Sequence, residues 1–398
     1  MKNGVAITGM GIISSIGDTV EDNLHALRSE IGGISRIEHV DTRKRDEIMV
    51  GEIKKTNDEL INMLGLDTIN SFSRTAMLGA IAAKEAIHNA GITDAITSRT
   101  GFISGTSVGG MDTTEKHYLD YTNTDTYHRY IEAQHAGFTT QSISKYLGIR
   151  GYVSTISTAC SSAANAIMLG ARMIEAGQLD RVIVGGTDAL SKFTINGFGT
   201  LMILSDDVCT PFDEHRKGLN LGEAAAYLVL ESDQMVAQEN KKVLARVNGW
   251  ANTNDAFHQT ASSSNGEGAY LAMKEALEVA QLDHSQIDYV NAHGTATPNN
   301  DLSEGIALTR IFGDQVPVFS STKAYTGHTL AAAGSVEAVF SILSMQEEII
   351  FPNLNFETKM EACPITPQTK LSSQAVKTVL SNSFGFGGNC STLIFKKQ

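Results

Sequence analysis

Strand-like apolar segments alternate with helical segments along this chain of 398 residues, and the alternation runs through two successive cycles. Short apolar segments typical of strands occur in the first cycle at residues 5–8, 101–104, 181–184 and 226–230. Helical segments lie between them at residues 73–90 and 161–176, and a glycine of the kind that often ends a helix follows each one. This alternation predicts an α/β fold.

A second cycle begins near residue 243. It contains predicted strands at residues 245–247 and 287–291 and predicted helices at residues 268–280 and 334–345. Because a single core stops growing at roughly 250–300 residues, we expect two similar halves, residues 1–235 and 236–398, separated within the polar stretch 231–242. Two loops of small residues, around Cys160 and around Phe386, occupy matching places in these halves.

Composition narrows the class of protein. No apolar run approaches the ~18 residues of a membrane span, and the N-terminal segment lacks the apolar core of a signal peptide, so we expect a cytoplasmic enzyme. The four cysteines form no CxxC pair, which argues against zinc and against a disulfide framework. A net charge of -13 argues against binding to nucleic acid or to an anionic membrane.

Cys160 stands at the start of the predicted helix 161–176, whose first residues are small. Free N–H groups and the helix dipole at such a position favour a thiolate, which suits a nucleophile of low pKa. A buried structural cysteine is the alternative.

The predicted strand 287–291 leads directly into a polar segment that contains His293. If the chain stays extended there, alternation sends His293, Thr295 and Thr297 to one side, so that three polar groups face one cavity. A lone histidine is often a hydrogen-bonded structural residue, but this explanation accounts poorly for the whole segment.

A second histidine, His328, precedes a predicted small-residue helix that begins at residue 330. Lys323, five residues earlier, lies next to an apolar stretch. Because lysine is rarely buried without a partner, we expect it to pair with an acidic residue such as Glu337.

Two further motifs suggest other chemistry. Gly9 and Gly11 follow a strand as in a dinucleotide fingerprint, but residue 14 is serine instead of the third glycine. Residues 105–109 match the G-x-S-x-G elbow of serine hydrolases, with Ser107 as the nucleophile. A good helix should follow such an elbow, whereas this chain continues with a polar, Tyr-rich stretch, so we interpret the motif as a glycine-rich loop that shapes a pocket.

Taken together, four motifs resemble those of the beta-ketoacyl-acyl-carrier-protein synthases of the thiolase superfamily, in the expected order over nearly the whole chain. STACSS resembles the nucleophile loop and NAHGTATPNND the first histidine loop, while STKAYTGHTLAAAG resembles the lysine and second histidine loop and NSFGFGGN the C-terminal gate. The resemblance implies a thiolase-like duplicated αβαβα fold of five layers. It also implies a homodimer or a heterodimer with a related ketosynthase.

The resemblance assigns catalytic roles. Cys160 would accept an acyl group from acyl carrier protein, and His293 and His328 would assist decarboxylation of a malonyl unit and stabilise the enolate. Lys323 and Glu337 would set the local charge. No metal or organic cofactor is implied, because the phosphopantetheine arm arrives on the carrier protein.

The resemblance also assigns the substrate cavity. The phosphopantetheine arm and acyl chain would contact Thr260, Thr295, Thr297 and Phe384. Phe386 would gate the acyl pocket, and its backbone N–H would join that of Cys160 in an oxyanion hole.

Some positions depart from the family pattern. Residues 186–190 read GTDAL where Gly-Ala-Glu is commoner, and residues 218–226 read GLNLGEAAA; both look more like synthases of aryl-polyene and flexirubin-type pathways. Residues 200–204 lack an arginine that often binds the carrier protein. The basic residues that we expect to replace it are Arg43, Lys44, Arg45, Arg216 and Lys217. The alternative functions are a noncatalytic dimer partner that shapes chain length and a serine hydrolase using Ser107.

Overall fold

The computed structural model of the chain describes residues 4–93 and 99–398. Residues 1–3, on which the expectation of no signal peptide partly depends, lie outside the described residues. Among the described residues, no helix combines the length and the apolar character needed to cross a lipid bilayer.

Ten strands of the described residues form one continuous sheet, and four short strands form two small ribbons. In chain order the strands are β1 Val5–Ser14, β2 Ile34–Arg36, β3 Met49–Gly51, β4 Thr100–Gly105, β5 Val153–Ile156, β6 Arg181–Asp188, β7 Ala224–Glu231, β8 Ala245–Asn254, β9 Tyr289–Asn291, β10 Val318–Ser320, β11 Ile349–Ile350, β12 Ser372–Ser373, β13 Thr378–Gly385 and β14 Asn389–Lys396.

The helices alternate with the strands. In chain order they are α1 Val20–Arg28, α2 Asn57–Leu64, α3 Arg74–Asn89, α4 Met111–His117, α5 His128–Ile131, α6 Ala136–Tyr146, α7 Ser162–Glu175, α8 Lys192–Thr200, α9 Asp233–Gln238, α10 Glu267–Ala280, α11 Pro298–Phe312, α12 Lys323–Thr326 and α13 Ala333–Glu347. The predicted helices correspond to α3, α7, α10 and α13, and the predicted boundary at residue 235 falls within the short connecting helix α9.

The two halves of the large sheet have the same topology. Outward from its centre, the N-terminal half runs β1, β7, β6, β4, β5 and the C-terminal half runs β8, β14, β13, β9, β10. In each half the first two pairings are antiparallel and the last two are parallel. The halves join where β1 pairs with β8. The duplicated α/β fold is therefore confirmed.

Helices cover and separate the two halves of the sheet. α3 packs on β1 and β7 outside the N-terminal half, and α10 packs on β8 and β14 outside the C-terminal half. α7 and α13 lie between the halves, where α13 contacts both β7 and β13. All residues of α13 from Ala333 to Met345 are buried, as expected for a helix enclosed by apolar neighbours on every side. The order helix, sheet, helix, sheet, helix gives the five expected layers.

The predicted equivalence of the two small-residue loops is wrong. The Cys160 loop joins β5 to α7, and its counterpart in the second half is the connection from β10 to α13, which carries Lys323 and His328. The Phe386 loop is instead the hairpin between β13 and β14, the counterpart of the connection from β6 to β7. The two loops share small residues because both are closely packed: a Cβ added to Gly385 would lie 2.8 Å from the carbonyl oxygen of Thr158.

The glycines that resemble the start of a dinucleotide fingerprint serve helix packing. A Cβ at Gly9 would lie 2.4 Å from the carbonyl oxygen of Ala86, and one at Gly11 would lie 2.2 Å from that of Ala82. Both carbonyls belong to α3. The glycines therefore let α3 lie directly against β1, and this accounts for them without a nucleotide.

Candidate active site

A cavity of about 400 Å³ opens beside the ends of strands from both halves. Cys160 follows β5 and His293 follows β9, while His328 follows β10. Because the carboxyl ends of parallel strands are where α/β folds usually bind ligands, this is the expected place for a site. The predicted site residues in the cavity wall are Cys160, Thr260, His293, Thr295, Thr297, His328, Phe384 and Phe386.

The Cys160 loop makes a tight turn into α7. Ala159 has a φ of 53°, a backbone conformation that residues other than glycine rarely adopt and that often marks a functional site. Cys160 is one residue before the N-cap of α7, which is Ser161. Only 6% of Cys160 is exposed, so the turn presents its sulfur to the enclosed cavity.

The expected low pKa of Cys160 is wrong for this structure. Burial raises the pKa of the Cys160 thiol to about 12, although the charge of Lys323 and two backbone hydrogen bonds oppose the increase. Exclusion of water destabilises the thiolate more than these nearby groups stabilise it. The resting sulfur is therefore protonated, and a base must remove its proton during reaction.

His328 is in position to act as that base. Its Nε2 atom lies 3.0 Å from the Sγ of Cys160. Burial, with a contribution from the positive charge of Lys323, lowers the pKa of His328 well below its ordinary value. The imidazole is therefore neutral near pH 7 and has a lone pair available for a proton.

The backbone of His328 is clamped by the chain that precedes β7. The N–H of His328 donates to the carbonyl of Asn220 at 2.7 Å, and the N–H of Gly222 donates to the carbonyl of His328 at 2.9 Å. These residues belong to the GLNLGEAAA segment that departs from the family pattern. The first half of the chain therefore helps to orient a histidine of the second half.

Lys323 lies directly behind His293. Its Nζ atom is 3.3 Å from Nδ1 of His293 and donates to the carbonyl oxygen of the same residue at 2.5 Å. Nζ also forms a buried ion pair with Glu337, which confirms the pairing predicted from sequence. Burial raises the pKa of Glu337 to about 7, while Lys323 opposes the increase.

Two backbone N–H groups converge on the reactive sulfur. The backbone amides of Phe386 and Cys160 lie near enough to the Cys160 thiol to lower its pKa. Donors that already point at the sulfur can stabilise negative charge that develops on an atom bound next to it. These are the two amides that the sequence resemblance assigns to the oxyanion hole.

Thr295 and Thr297 line the cavity with His293, but not because the chain is extended. Gly294 and Ala296 have φ values of 36° and 64°, so the segment is folded into turns. The hydroxyls of Thr295 and Thr297 lie 2.9 Å apart. The expected convergence is thus observed, and strand alternation is the wrong reason for it.

Acidic residues of α11 hold this folded segment, and the sequence did not single them out. Glu304 accepts hydrogen bonds from the N–H groups of His293 and Gly294 at 2.9 and 2.8 Å, and Asp301 accepts one from Ala296 at 3.1 Å. Both carboxylates are fully buried. Their only sequence signal is an acidic residue in each of the first two turns after the histidine motif.

Aromatic rings close one side of the cavity. The ring of Phe386 stacks on that of Phe198 with a centroid distance of 5.7 Å, and the ring of Phe384 lies 5.6 Å from the imidazole of His293. Phe198, on α8, was not predicted as a site residue. Gly387 and Gly388 follow Phe386 with φ values of 81° and 78°. A Cβ added to Gly387 would have no atom within 4 Å, whereas one added to Gly388 would lie 3.0 Å from Oδ1 of Asn254.

The Ser107 elbow does not shape this cavity, contrary to expectation. The Ser107 hydroxyl donates to the carboxylate of Asp188, and residues 105–109 are absent from the described cavity wall. The segment continues into the short helix α4, where sequence predicted no good helix. Ser107 therefore has an acidic acceptor in place of the histidine that a serine hydrolase needs.

The basic residues predicted to dock the carrier protein differ in their exposure and in their contacts with the rest of the chain. Lys217 is exposed at the cavity wall, and Arg43 and Arg45 are exposed, whereas Lys44 lies 3.6 Å from Glu47. The guanidinium of Arg216 donates to the carbonyls of Asp213, Thr297 and Pro298. Arg216 thus supports the cavity wall.

This fold and site define a cysteine-dependent acyltransferase of the thiolase type, with Cys160, His293 and His328 brought together in a cavity between duplicated halves. The chain belongs to the beta-ketoacyl synthase family: the N-terminal domain of that family matches residues 2–235, and the C-terminal domain matches residues 244–357.

Individual relatives agree with this assignment. The chain is 33% identical to the 3-oxoacyl-[acyl-carrier-protein] synthase 2 of Staphylococcus aureus strain N315, over 99% of this chain and 98% of the relative. It is similar to the ishigamide ketosynthase/chain length factor structure, with a TM-score of 0.93, 28% identity and full coverage of both chains. It is also similar to the structure of the ketosynthase ApeO in complex with its chain length factor ApeC from Xenorhabdus doucetiae, with a TM-score of 0.86, 32% identity and coverage of 100% and 98%.

Proposed function

We propose that the chain condenses an acyl group held on Cys160 with a malonyl unit carried by acyl carrier protein. The products are 3-oxoacyl-acyl-carrier protein and CO2, in fatty acid biosynthesis or a related polyene or polyketide pathway. The observation that carries the proposal is the 3.0 Å approach of His328 Nε2 to Cys160 Sγ, in the cavity that His293 also lines.

Acylation comes first. His328 takes the proton of the Cys160 thiol as the sulfur attacks the carrier thioester, and the N–H groups of Cys160 and Phe386 stabilise the oxyanion. The carbon–sulfur bond to the carrier then breaks, and the proton passes to the departing carrier thiol. A neutral His328 suits this role because it both accepts and returns the proton.

Decarboxylation follows when malonyl-carrier protein enters. The bond to the carboxylate breaks, CO2 leaves, and the electron pair forms an enolate whose oxygen needs hydrogen-bond donors. The ammonium of Lys323 can only donate to Nδ1 of His293, so the neutral ring carries its proton on Nε2 and can donate from there. His293 donates to this oxygen, and His328 is the second donor in the tautomer that carries its proton on Nε2. The enolate carbon attacks the acyl thioester, the Cys160 sulfur leaves as a thiolate, and one proton taken up from solvent through His328 restores the thiol.

The other assignments follow from this chemistry. Residues 1–235 supply the nucleophile and residues 236–398 supply His293, Lys323 and His328, so that neither half is active alone. Thr260, Thr295, Thr297 and Phe384 contact the phosphopantetheine arm and acyl chain. The reaction needs no metal or organic cofactor, because a thiol, two imidazoles and backbone donors perform each step.

Acyl carrier protein is the proposed substrate partner, and the enzyme works in the cytoplasm as a dimer. The partner subunit is a second copy or a related ketosynthase; the complex of ApeO with its chain length factor supports the second arrangement. A noncatalytic role as the chain-length-shaping partner is disfavoured, because Cys160, His293 and His328 meet in one cavity.

The test is intact-protein mass spectrometry after exposure to acyl-carrier proteins of different chain lengths, followed by malonyl-carrier protein. One acyl mass should appear on Cys160 and disappear with release of the 3-oxoacyl product. Cys160→Ala should abolish the adduct, whereas Cys390→Ala, which removes the other thiol of the cavity wall, should retain it. An adduct on any residue other than Cys160 contradicts the proposal.

A further inference from the structure

Asp188, the last residue of β6, is a fully buried carboxylate outside the cavity wall. Its Oδ1 accepts hydrogen bonds from the hydroxyl of Thr106 at 2.7 Å and the N–H of Ser107 at 3.1 Å. Its Oδ2 accepts from the Ser107 hydroxyl and, at 3.0 Å, from the N–H of Ala331. Such a set of donors satisfies a carboxylate and fixes its orientation.

The donors come from two segments that border the reacting pair. The segment at Thr106 and Ser107 follows Gly105, where an added Cβ would lie 2.7 Å from the backbone nitrogen of Ala163 in the first turn of α7. This segment therefore packs against the start of the helix that Cys160 precedes. Ala331 is three residues after His328, and Leu330 between them has a φ of 52°. Asp188 thus joins the nucleophile segment to the base segment through one side chain.

We propose that Asp188 is a positioning residue that holds the Cys160 segment and the His328 segment in register, with Ser107 as its second anchor. The proposal rests on the proposed function in taking Cys160 and His328 as the reacting groups. It also gives a role to the G-x-S-x-G segment: its serine holds Asp188 and does not attack a substrate.

The charge of Asp188 has a second effect that a purely structural residue would lack. Asp188 raises the pKa of Cys160, whereas Lys323 lowers it. The other titratable groups near this pair are His328 and His293 beside Lys323. Tyr227 is a further titratable group near Asp188. Burial and then Asp188 raise the pKa of Tyr227, and its hydroxyl is hydrogen-bonded to Ser104. Loss of the negative charge at residue 188 should therefore increase the thiolate fraction of Cys160 while the alignment with His328 becomes worse.

Three variants separate charge from shape. Asp188→Asn keeps the shape and removes the charge, and Asp188→Glu keeps the charge in a longer side chain. Ser107→Ala removes one anchor at a half-buried position and so preserves the fold if Asp188→Asn does not. Ser144→Ala is the matched control. Ser144 lies on α6, and its buried hydroxyl donates to the carbonyl of Ile149 in the loop that follows this helix.

The measurements are the iodoacetamide alkylation rate of Cys160 between about pH 7 and pH 9 and the kinetics of its acylation. In Asp188→Asn, Cys160 should be alkylated roughly threefold faster, because loss of the negative charge lowers the pKa of its thiol, yet the acylation kcat should fall on the order of tenfold with little change in KM. Asp188→Glu should keep the wild-type alkylation rate. Ser107→Ala should lower kcat severalfold without changing KM or the alkylation rate.

The outcomes bear on the proposal separately from the proposed function, because alkylation needs no carrier protein. A folded Asp188→Asn with wild-type alkylation and kcat overturns the positioning role. If that variant does not fold, a wild-type kcat in Ser107→Ala overturns it. Faster alkylation in Asp188→Glu and Asp188→Asn alike would indicate loosened packing and also overturns it. If the proposed function is wrong, the alkylation rates of Cys160 should still follow the pattern above, but Cys160 should accept no acyl group from the carrier protein.

Discussion

The Nζ atom of Lys323 lies 3.3 Å from Nδ1 of His293, and both residues are almost fully buried. A fixed positive charge this close opposes protonation of the ring. Burial and then Lys323 lower the pKa of His293 well below its ordinary value. The ion pair of Lys323 with Glu337 keeps the ammonium in place, so the neutral state of His293 is built into the fold.

This relationship predicts a pH dependence. A histidine with a lowered pKa stays neutral until the pH falls below that pKa, so protonation of His293 should not reduce CO2 release between about pH 8 and the ordinary histidine value of about 6.5. A change within that interval would instead report on Glu337, whose pKa burial raises to about 7. In the double variant Lys323→Met, Glu337→Gln, the pKa of His293 should rise because the cation is gone. The acid limb of the rate profile should then move to higher pH.

The double variant avoids leaving Glu337 buried without its cation. Initial rates of CO2 release across the pH series give the measurement, with thermal unfolding as a check that the variant is folded. An acid limb at the same pH in both proteins would contradict the role of Lys323.

Substitution of the nucleophile should separate the two half-reactions. Cys160→Gln should lose condensation, because no sulfur remains to accept the acyl group. It should still release CO2 from malonyl-carrier protein, because its amide carbonyl occupies the oxyanion hole as an acyl thioester would. Adding His293→Ala or His328→Ala should reduce the release by about 10² to 10⁴, as expected for loss of an acid-base or oxyanion group.

Product analysis and CO2 release on the same preparations provide the measurement. Condensation that persists in Cys160→Gln would remove the nucleophile assignment. Release that is indifferent to both histidines would remove the decarboxylation mechanism and leave the fold and family unaffected.

Phe386 should act as a mobile gate. Its ring stacks on Phe198, and two glycines with positive φ follow it, so the loop can move when the aromatic contact breaks. Phe386→Ala should slow acylation and reduce discrimination between short and long acyl chains. Rates of Cys160 acylation across a chain-length series measure both effects.

Phe257→Ala is the control, because Phe257 is 62% exposed and is not a cavity-wall residue. Its acylation rates should match the wild type. Unchanged rates in Phe386→Ala for both short and long chains would exclude the gate.

Carrier docking should depend on local bases despite the net charge of -13. Lys217, at the cavity wall, and Arg45 are exposed, and surface attraction of this kind weakens as salt increases. The KM for the carrier protein should rise with salt, and Lys217→Glu or Arg45→Glu should raise it at low salt with little effect on kcat.

Arg216 makes a poor reporter of docking, because its guanidinium donates to three backbone carbonyls, two of which belong to the cavity-wall residues Thr297 and Pro298. A charge reversal there should lower kcat and stability as well. A flat salt response, together with no effect of either Lys217→Glu or Arg45→Glu, would rule out docking through these bases.

Local sequence determined the elements and the chemical groups. The alternation of apolar strand-like segments with helical segments predicted α3, α7, α10 and α13 and six of the ten strands of the large sheet, because apolar composition and segment length are local signals. The motifs around Cys160, His293, Lys323 and His328 identified the reactive groups. Even the ion pair of Lys323 and Glu337 was predictable, because a lysine in an apolar segment needs an acidic partner.

Tertiary structure alone decided how those groups behave. The pKa of Cys160 depends on how much water the surrounding halves exclude. Its position before a helix suggested a thiolate, but burial keeps the sulfur protonated. The convergence of Thr295 and Thr297 on the cavity depends on buried carboxylates of α11 that fold the segment. Asp188 contacts residues 81 and 143 positions away. Such contacts leave no periodic signal in the sequence, because they exist only once distant segments pack together, within the first half for Ser107 and between the two halves for Ala331.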